Sequence, residues 1–222
     1  MAVVKNHDFV EIEYTGRLKE GNIIFDTTQE NVAKENNLHD KNSDFSPAVI
    51  CIGESNILKA LDEQMVGKET GKEYTFEISS GSAFGKKDAK LIQLIPAGKF
   101  RQQKIQPIPG LQLNIDGIFG IVKTVSGGRC LVDFNHPLAG KDILYHVKIN
   151  RIVEDTKEKL GSLLKLHLKI ADAEIELKDN SAVIKLKNDI PAQAKEEFKK
   201  IAERSIQSIK NIDFTVQEEK NK

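Results

Sequence analysis

A succession of short alternating strands runs from Asp8 to Ser79, breaks off at SGSAFG (Ser80 to Gly85), and resumes at NHPLAG (Asn135 to Gly140) with one more long alternating strand. This break constrains the fold more than any single residue does, because a strand pattern that is interrupted and then completed implies one small domain inserted into another. In DFVEIEYTGRL the apolar Val10, Ile12 and Tyr14 alternate with Glu11 and Glu13, so one face of a strand meets a core and the other meets water. Gly21 marks a turn, IIFDTT resumes a strand that ends at Asp26, and the polar stretch 29–46 reads as a loop or irregular flap. AVICIG (Ala48 to Gly53) is a buried strand. Ser55 or Asn56 then caps a short helix whose Ile57, Leu58, Leu61 and Met65 share a face before Gly67 stops it. KEYTFEIS (Lys72 to Ser79) alternates again, as does ILYHVKINRI (Ile143 to Ile152) beyond the interruption.

Charge excludes some partners. The 33 Lys and Arg residues balance 33 Asp and Glu residues, so no bulk positive field draws nucleic acid or anionic lipid. MAVVKNHDFVEIEY is charged too early to hold the roughly 7 to 15 apolar residues of a secretory signal, and no later run approaches the roughly 18 apolar residues of a membrane span. A cytoplasmic location is therefore expected. There Cys51 and Cys130, each among apolar residues and forming no CxxC pair, are expected as free buried thiols.

Taken together, VEIEYTGRL, IIFDTT, PAVICIGESNILKALDEQMVGKETGKEYTFEI, SGSAFG and HPLAGKDILYHVKI resemble, in order and spacing, the FKBP-type peptidyl-prolyl cis-trans isomerases of the SlyD-like subgroup across residues 8–154. The resemblance implies an α+β fold, a half-wrapped antiparallel sheet curled around one short helix, with the active site as an apolar cleft between them. The isomerase domain would be discontinuous, residues 1–86 and 136–154. Rotation about an X-Pro bond faces an intrinsic barrier of about 18–20 kcal/mol and breaks no bond between heavy atoms, so it requires neither a nucleophile nor a metal. A planar amide is more polar than its twisted transition state. An apolar, water-poor pocket with sparse polar groups therefore favours the twist.

Carried over residue by residue, the resemblance places Tyr14, Phe25, Asp26, Ile57, Leu58, Leu61, Phe84 and Tyr145 in that cleft. Leu61 would form the floor, where the FKBPs that bind macrolides most tightly have Trp, a residue this chain lacks. Phe84 stands where Tyr is usual, and Asp26 would orient the substrate carbonyl region or Tyr14. The residues alone leave plainer readings open. Ile57, Leu61 and Met65 at helical spacing also fit simple core, as do Phe25 and Tyr145 on strands, and Asp26 before Thr27 and Thr28 fits a turn residue.

The insert, residues 87–135, reads as short strands in KLIQLIPAGKF, IQPIPGLQLNID, GIFGIVKTVSG and GRCLVDFN, with Ser126 to Gly128 as a hairpin connection. A module this small buries little apolar surface for its length. The resemblance implies an insert-in-flap domain that holds unfolded chains by hydrophobic contact. Its candidate contacts are Ile95, Phe100, Ile105, Ile108, Leu111, Ile118 and Phe119, which could equally form the insert's own core.

Residues 155–222 read as a further α+β domain beyond the resemblance. LLKLHLKI, AEIELK and AVIKLK alternate as strands, Pro191 opens a helix with Ala194, Phe198, Ile201, Ala202 and Ile209 near one face, and IDFTV offers a closing strand. Some archaeal long-type FKBPs resemble this layout. Its sheet needs its edges or open face covered, which motivates a possible homodimer. The metal-binding His-rich tail of many SlyD-like proteins is absent, and His7, His39, His136, His146 and His167 show no ligand spacing, so neither metal nor cofactor is expected. The expected function is prolyl isomerisation with holdase-type chaperone activity on unfolded or nascent polypeptides. The alternatives are an FKBP-fold chaperone with weak catalysis and an assembly scaffold.

Overall fold

The computed structural model of the chain describes residues 1–40, 44–115 and 117–217. They fall into two compact units. One comprises Met1–Ile78 with Leu144–Lys222, the other Ser79–Ile143.

The first unit is built on β1 (Phe9–Leu18), β2 (Ile24–Thr27), α1 (Glu30–Glu35), β3 (Ala48–Cys51), α2 (Lys59–Met65) and β4 (Lys72–Ile78). In the second unit follow β5 (Ile92–Pro96), α3 (Ala97–Gln102), β6 (Gln112–Ile115), β7 (Ile118–Ser126) and β8 (Arg129–Asp133), before β9 (Ile143–Val153) returns to the first. The chain continues through α4 (Thr156–Leu163), a π-helical turn (Leu164–Leu168), β10 (Glu174–Lys178), β11 (Ser181–Leu186), α5 (Ala192–Ser205) and β12 (Asn211–Val216).

The main sheet has the order β2-β1-β9-β4, and β3 also pairs with β1. One strand serves two partners along its length: Phe9 to Ile12 pair with β3, and Thr15 to Arg17 pair with β2. Val10 and Ile12 are buried as their alternation requires, together with Ile50, Leu61, Met65 and Val147. Phe9 is also buried, although it points to the opposite face of a strand whose side chains alternate. The explanation lies in the C-terminal segment. Leu160, Leu163, Leu164, Ile184, Phe198 and Ile212 share one core with Phe9, Cys51 and Val153. The region expected as a separate C-terminal domain is thus packed onto the back of the main sheet within one unit. Burial beside Glu54 pushes the Cys51 thiol up to about 12, and Cys51 and Cys130 are both free.

Four elements differ from the sequence reading. The stretch 29–46 contains α1, whose Ala33 is buried. LLKLHLKI is not a strand: the Asp155 carboxylate accepts from the Glu158 N–H at 2.8 Å and caps α4, and Leu160, Leu163 and Leu164 at i, i+3, i+4 reach the core together. The helical period wins over the apparent alternation because it brings Leu160, Leu163 and Leu164 together into the core with Phe9, Cys51 and Val153. In the second unit, the residues after Pro96 turn into α3, which buries Phe100. The helix α2 begins at Lys59 without a side-chain cap. Asn56 instead accepts from the Cys51 N–H at 2.8 Å, and Ser55 donates its N–H to Asp62.

The second unit holds a four-stranded sheet of order β5-β8-β7-β6. The expected hairpin joins β7 to β8 through Gly127 and Gly128, whose φ values of 58° and 71° suit glycine. The two halves of the interrupted motif meet here. Gly140 donates its N–H to the Gly85 carbonyl at 2.8 Å, the Ser80 N–H donates to Asp142 at 2.7 Å, and the Phe84 ring stacks on His136 at 4.7 Å. Beside this closure Asp133 is buried. Burial would raise its carboxyl, but hydrogen bonds from Asn135 and the Lys87 ammonium outweigh that and hold it at about 2.

β10, β11 and β12 form a third sheet in which β10 is antiparallel and β12 parallel to β11. No helix among the described residues is long and apolar enough to cross a membrane.

Candidate active site

Three strands bring aromatic side chains around one carboxylate. Tyr14 comes from β1, Phe25 and Asp26 from β2, and Tyr145 from β9. The Tyr145 ring meets Tyr14 edge-on at 5.7 Å and Phe25 edge-on at 5.8 Å. Its hydroxyl donates to Asp26 Oδ2 at 3.4 Å, and the Tyr14 hydroxyl bonds the same carboxylate. Tyr145 is only 5% exposed and Leu61, on α2, 1%. Ile57 and Leu58 precede α2 and are half-buried.

Burial raises the Asp26 carboxyl above its ordinary 3.8, and hydrogen bonds from Tyr14, Tyr145 and the Thr27 backbone offset part of that rise. The same burial, with the Asp26 charge, pushes both tyrosine hydroxyls well above their usual range. They remain protonated donors at any ordinary pH. A largely apolar pocket with one acceptor and two fixed hydroxyls can bind and orient an amide, and offers it neither an activated nucleophile nor a proton relay tuned to neutral pH.

The sequence reading missed the residues that hold this arrangement. Gly16 lies opposite Asp26 in the β1/β2 ladder, and a Cβ there would stand 2.9 Å from the Tyr145 ring and 3.0 Å from Phe25. Only a residue without a side chain lets the Tyr145 ring pass so close to the strand. Thr27 and Thr28, both buried, clamp the Tyr14 backbone: the Tyr14 N–H donates to Thr28 Oγ1 at 2.9 Å, and Thr27 Oγ1 donates to the Tyr14 carbonyl at 3.1 Å. Asp62, 2% exposed, accepts from the Gly53 and Ser55 N–H groups and so fixes the loop that carries Ile57 and Leu58. A Thr pair after Asp26 was visible in the sequence as a turn signal. Nothing local marked Gly16.

Phe84 belongs to the second unit, where it stacks on His136. The seven apolar candidates of the insert divide. Phe100 is core, with Ile95, Ile105 and Leu111 packed against it, whereas Ile108, Ile118 and Phe119 are exposed. Leu94, which the sequence reading did not single out, is 62% exposed. Leu94, Ile95, Phe100 and Ile118 line a groove of about 390 Å³. Among the described residues no three His, Cys, Asp or Glu side chains gather closely enough to hold a metal ion.

Residues 2–100 match the family model of the FKBP-type peptidyl-prolyl cis-trans isomerase, and residues 93–138 match that of the FKBP26 IF domain. The chain is 30% identical over 115 residues to a probable FKBP-type 16 kDa peptidyl-prolyl cis-trans isomerase of Pseudomonas fluorescens, covering 50% of this chain and 75% of that protein. It is 29% identical over 150 residues to a short-type peptidyl-prolyl cis-trans isomerase of Methanocaldococcus jannaschii, covering 68% of this chain and 94% of that protein. A SlyD peptidyl-prolyl isomerase of Helicobacter pylori is 24% identical over 166 residues, 71% of this chain and 82% of that protein.

Proposed function

This chain belongs to the FKBP-type peptidyl-prolyl cis-trans isomerases, and we propose that it isomerises X-Pro bonds at the cluster of Tyr14, Phe25, Asp26, Leu58, Leu61 and Tyr145 while its second unit holds the unfolded or nascent polypeptide. The observation that carries the catalytic reading is the half-buried Asp26 carboxylate facing two tyrosine hydroxyls inside an aromatic wall. The proline ring packs on Leu61 and the rings around it. The hydroxyls and Asp26 orient the amide while the dry pocket favours its less polar, twisted form.

Two substitutions test this. Asp26→Ala removes the acceptor of both hydroxyls, and a hydrogen bond to a charged group is worth about 1.5–3 kcal/mol. At about 1.4 kcal/mol per factor of ten, kcat/KM on an X-Pro tetrapeptide should fall by roughly tenfold or more. Wild-type rates in this variant and in Phe25→Ala would sink the assignment. Asp26→Asn adds a stability readout. Because the folded-state pKa is raised, the stability that protonation provides is fully present below pH 3.8 and is lost as pH rises through the folded value. The charged carboxylate therefore weakens the fold at pH 7. Asn at this position should raise Tm there, and the gain should shrink towards pH 4.

The holding role is supported by Leu94, Ile108 and Ile118, each more than half exposed on a unit this small; Leu94 and Ile118 line the 390 Å³ groove. An exposed apolar groove of this kind suits extended, unfolded chain. A homodimer through the C-terminal strands belongs to the same reading, since β10 and β12 are the two edges of their sheet, and an open edge is a template for pairing. Light scattering at micromolar concentration should give twice the chain mass. A monomer would remove the dimer from the proposal.

A further inference from the structure

The Asp26 side of the aromatic cluster opens onto a second cavity of about 640 Å³, and its far wall is made by the C-terminal segment. Tyr14, Phe25 and Asp26 line it from the main sheet, Phe45 and Pro47 from the segment before β3, and Ser162 and Leu166 from α4 and the π-helical turn. All of these residues lie in the first unit. The floor residues Leu61 and Tyr145 are not among its lining. It touches the aromatic cluster through Tyr14, Phe25 and Asp26, and its volume lies within the roughly 300–1,000 Å³ usual for binding pockets.

We propose that this cavity is a subsite for the stretch of substrate chain flanking the X-Pro pair, and that residues 158–171 give the isomerase a preference for uncharged, apolar side chains there. The proposal rests on the Asp26 cluster being the isomerase site.

Three observations carry it. First, the cavity is continuous with the catalytic wall: a polypeptide whose proline lies against Phe25 and Tyr145 must leave past the residues that bound the cluster, and Tyr14, Phe25 and Asp26 bound both spaces. Second, the charges of the far wall are already matched within the protein. Lys165 pairs with Asp44 and bonds Ser46 Oγ at 3.1 Å, while Glu158 pairs with Arg151, which also holds Glu11 at 2.7 Å. A charged substrate side chain would find no unmatched partner on that wall, whereas Leu38, Phe45, Pro47, Val49 and Leu166 offer apolar surface. Third, the backbone changes helix type at this wall. Leu160, Leu163 and Leu164 are buried in the core, and the switch to π geometry at Leu164 leaves Leu166 half-buried on the cavity, with the turn stopped by Lys169 at φ 59°. π-helical turns are rare and recur at functional sites.

The test uses the full chain and two substrates: an X-Pro tetrapeptide, and a longer peptide with the same X-Pro pair and apolar residues on both sides. Ser162→Trp fills the cavity and Leu166→Ala removes part of its apolar wall. Each should raise KM for the longer peptide about tenfold more than KM for the tetrapeptide, which corresponds to about 1.4 kcal/mol of lost flanking contact. Replacing the flanking apolar residues by Glu in the longer peptide should abolish the difference between variant and wild type. Should Ser162→Trp unfold the protein, Leu166→Ala decides. An unchanged ratio of the two KM values in a folded variant overturns the subsite even where Asp26→Ala slows both substrates. If Asp26→Ala slows neither, the cluster itself is not the isomerase site and the subsite falls with it.

Discussion

Gly16→Ala should cost the protein most of its isomerase activity and part of its stability. The added methyl would stand 2.9 Å from the Tyr145 Cε1 and Cζ atoms and 3.0 Å from Phe25 Cζ, closer than carbon atoms pack. The constraint is space rather than backbone conformation. The Tyr145 ring cannot retreat freely, because it is wedged between Tyr14 and Phe25 and is almost wholly buried. Overpacking of this kind costs about 1–3 kcal/mol, and in a chain of this size about 2–4 °C of Tm follows each kcal/mol. The catalytic loss should be larger in proportion. Moving the Tyr145 ring takes its hydroxyl away from Asp26, and a displacement of about 1 Å in a catalytic group can lower rates by about 10²-fold. Wild-type kcat/KM on a tetrapeptide, with wild-type Tm, would show that the Tyr145–Asp26 arrangement is not needed.

Removing residues 88–134 and joining the ends with a short glycine linker should separate the two activities. The ends are already neighbours: Asp88 donates its N–H to Asn135 Oδ1 at 2.8 Å, and Gly85 bonds Gly140. The linker therefore has little distance to cover. On the proposed holding role, a client bound to the second unit and isomerised by the same chain makes its second encounter intramolecularly, and tethering of this kind raises effective affinity by about 10²–10⁴-fold. Catalysis of a proline-limited protein refolding reaction should fall by about 10²-fold. Tetrapeptide kcat/KM should change far less, and suppression of aggregation should disappear. Equal losses on peptide and protein would mean that the second unit supports the fold of the first rather than the capture of clients.

Much of the main sheet was legible in the sequence because its signals are local. Val10 and Ile12 alternate with glutamates, and the structure buries them as that alternation requires. Gly127 and Gly128 promise a hairpin and form one, and Pro191 stands at the start of α5. Where two local signals competed, the sequence was ambiguous. LLKLHLKI carries both an alternating and a helical pattern, and its outcome depends on a core formed by Phe9, Cys51 and Val153, which are distant in sequence. The insert candidates divided for the same reason. Phe100 and Ile118 are equally apolar, but only the packing of α3 decides that the first is buried and the second exposed.

The sequence by itself determined the alternation of the strands, the broken motif and its completion, and the residue types that suit an apolar isomerase cleft. Tertiary structure alone decided which of those residues meet. Tyr145 lies far along the chain from Gly16, yet the missing side chain of one gives the other's ring its place beside Asp26. Leu166 reaches a cavity shared with Tyr14 only because the C-terminal segment packs into the same unit as the main sheet. Local pattern fixes which face a side chain takes, since backbone geometry sets that over a few residues. Which other side chain waits on that face depends on long-range packing, and no local pattern encodes it.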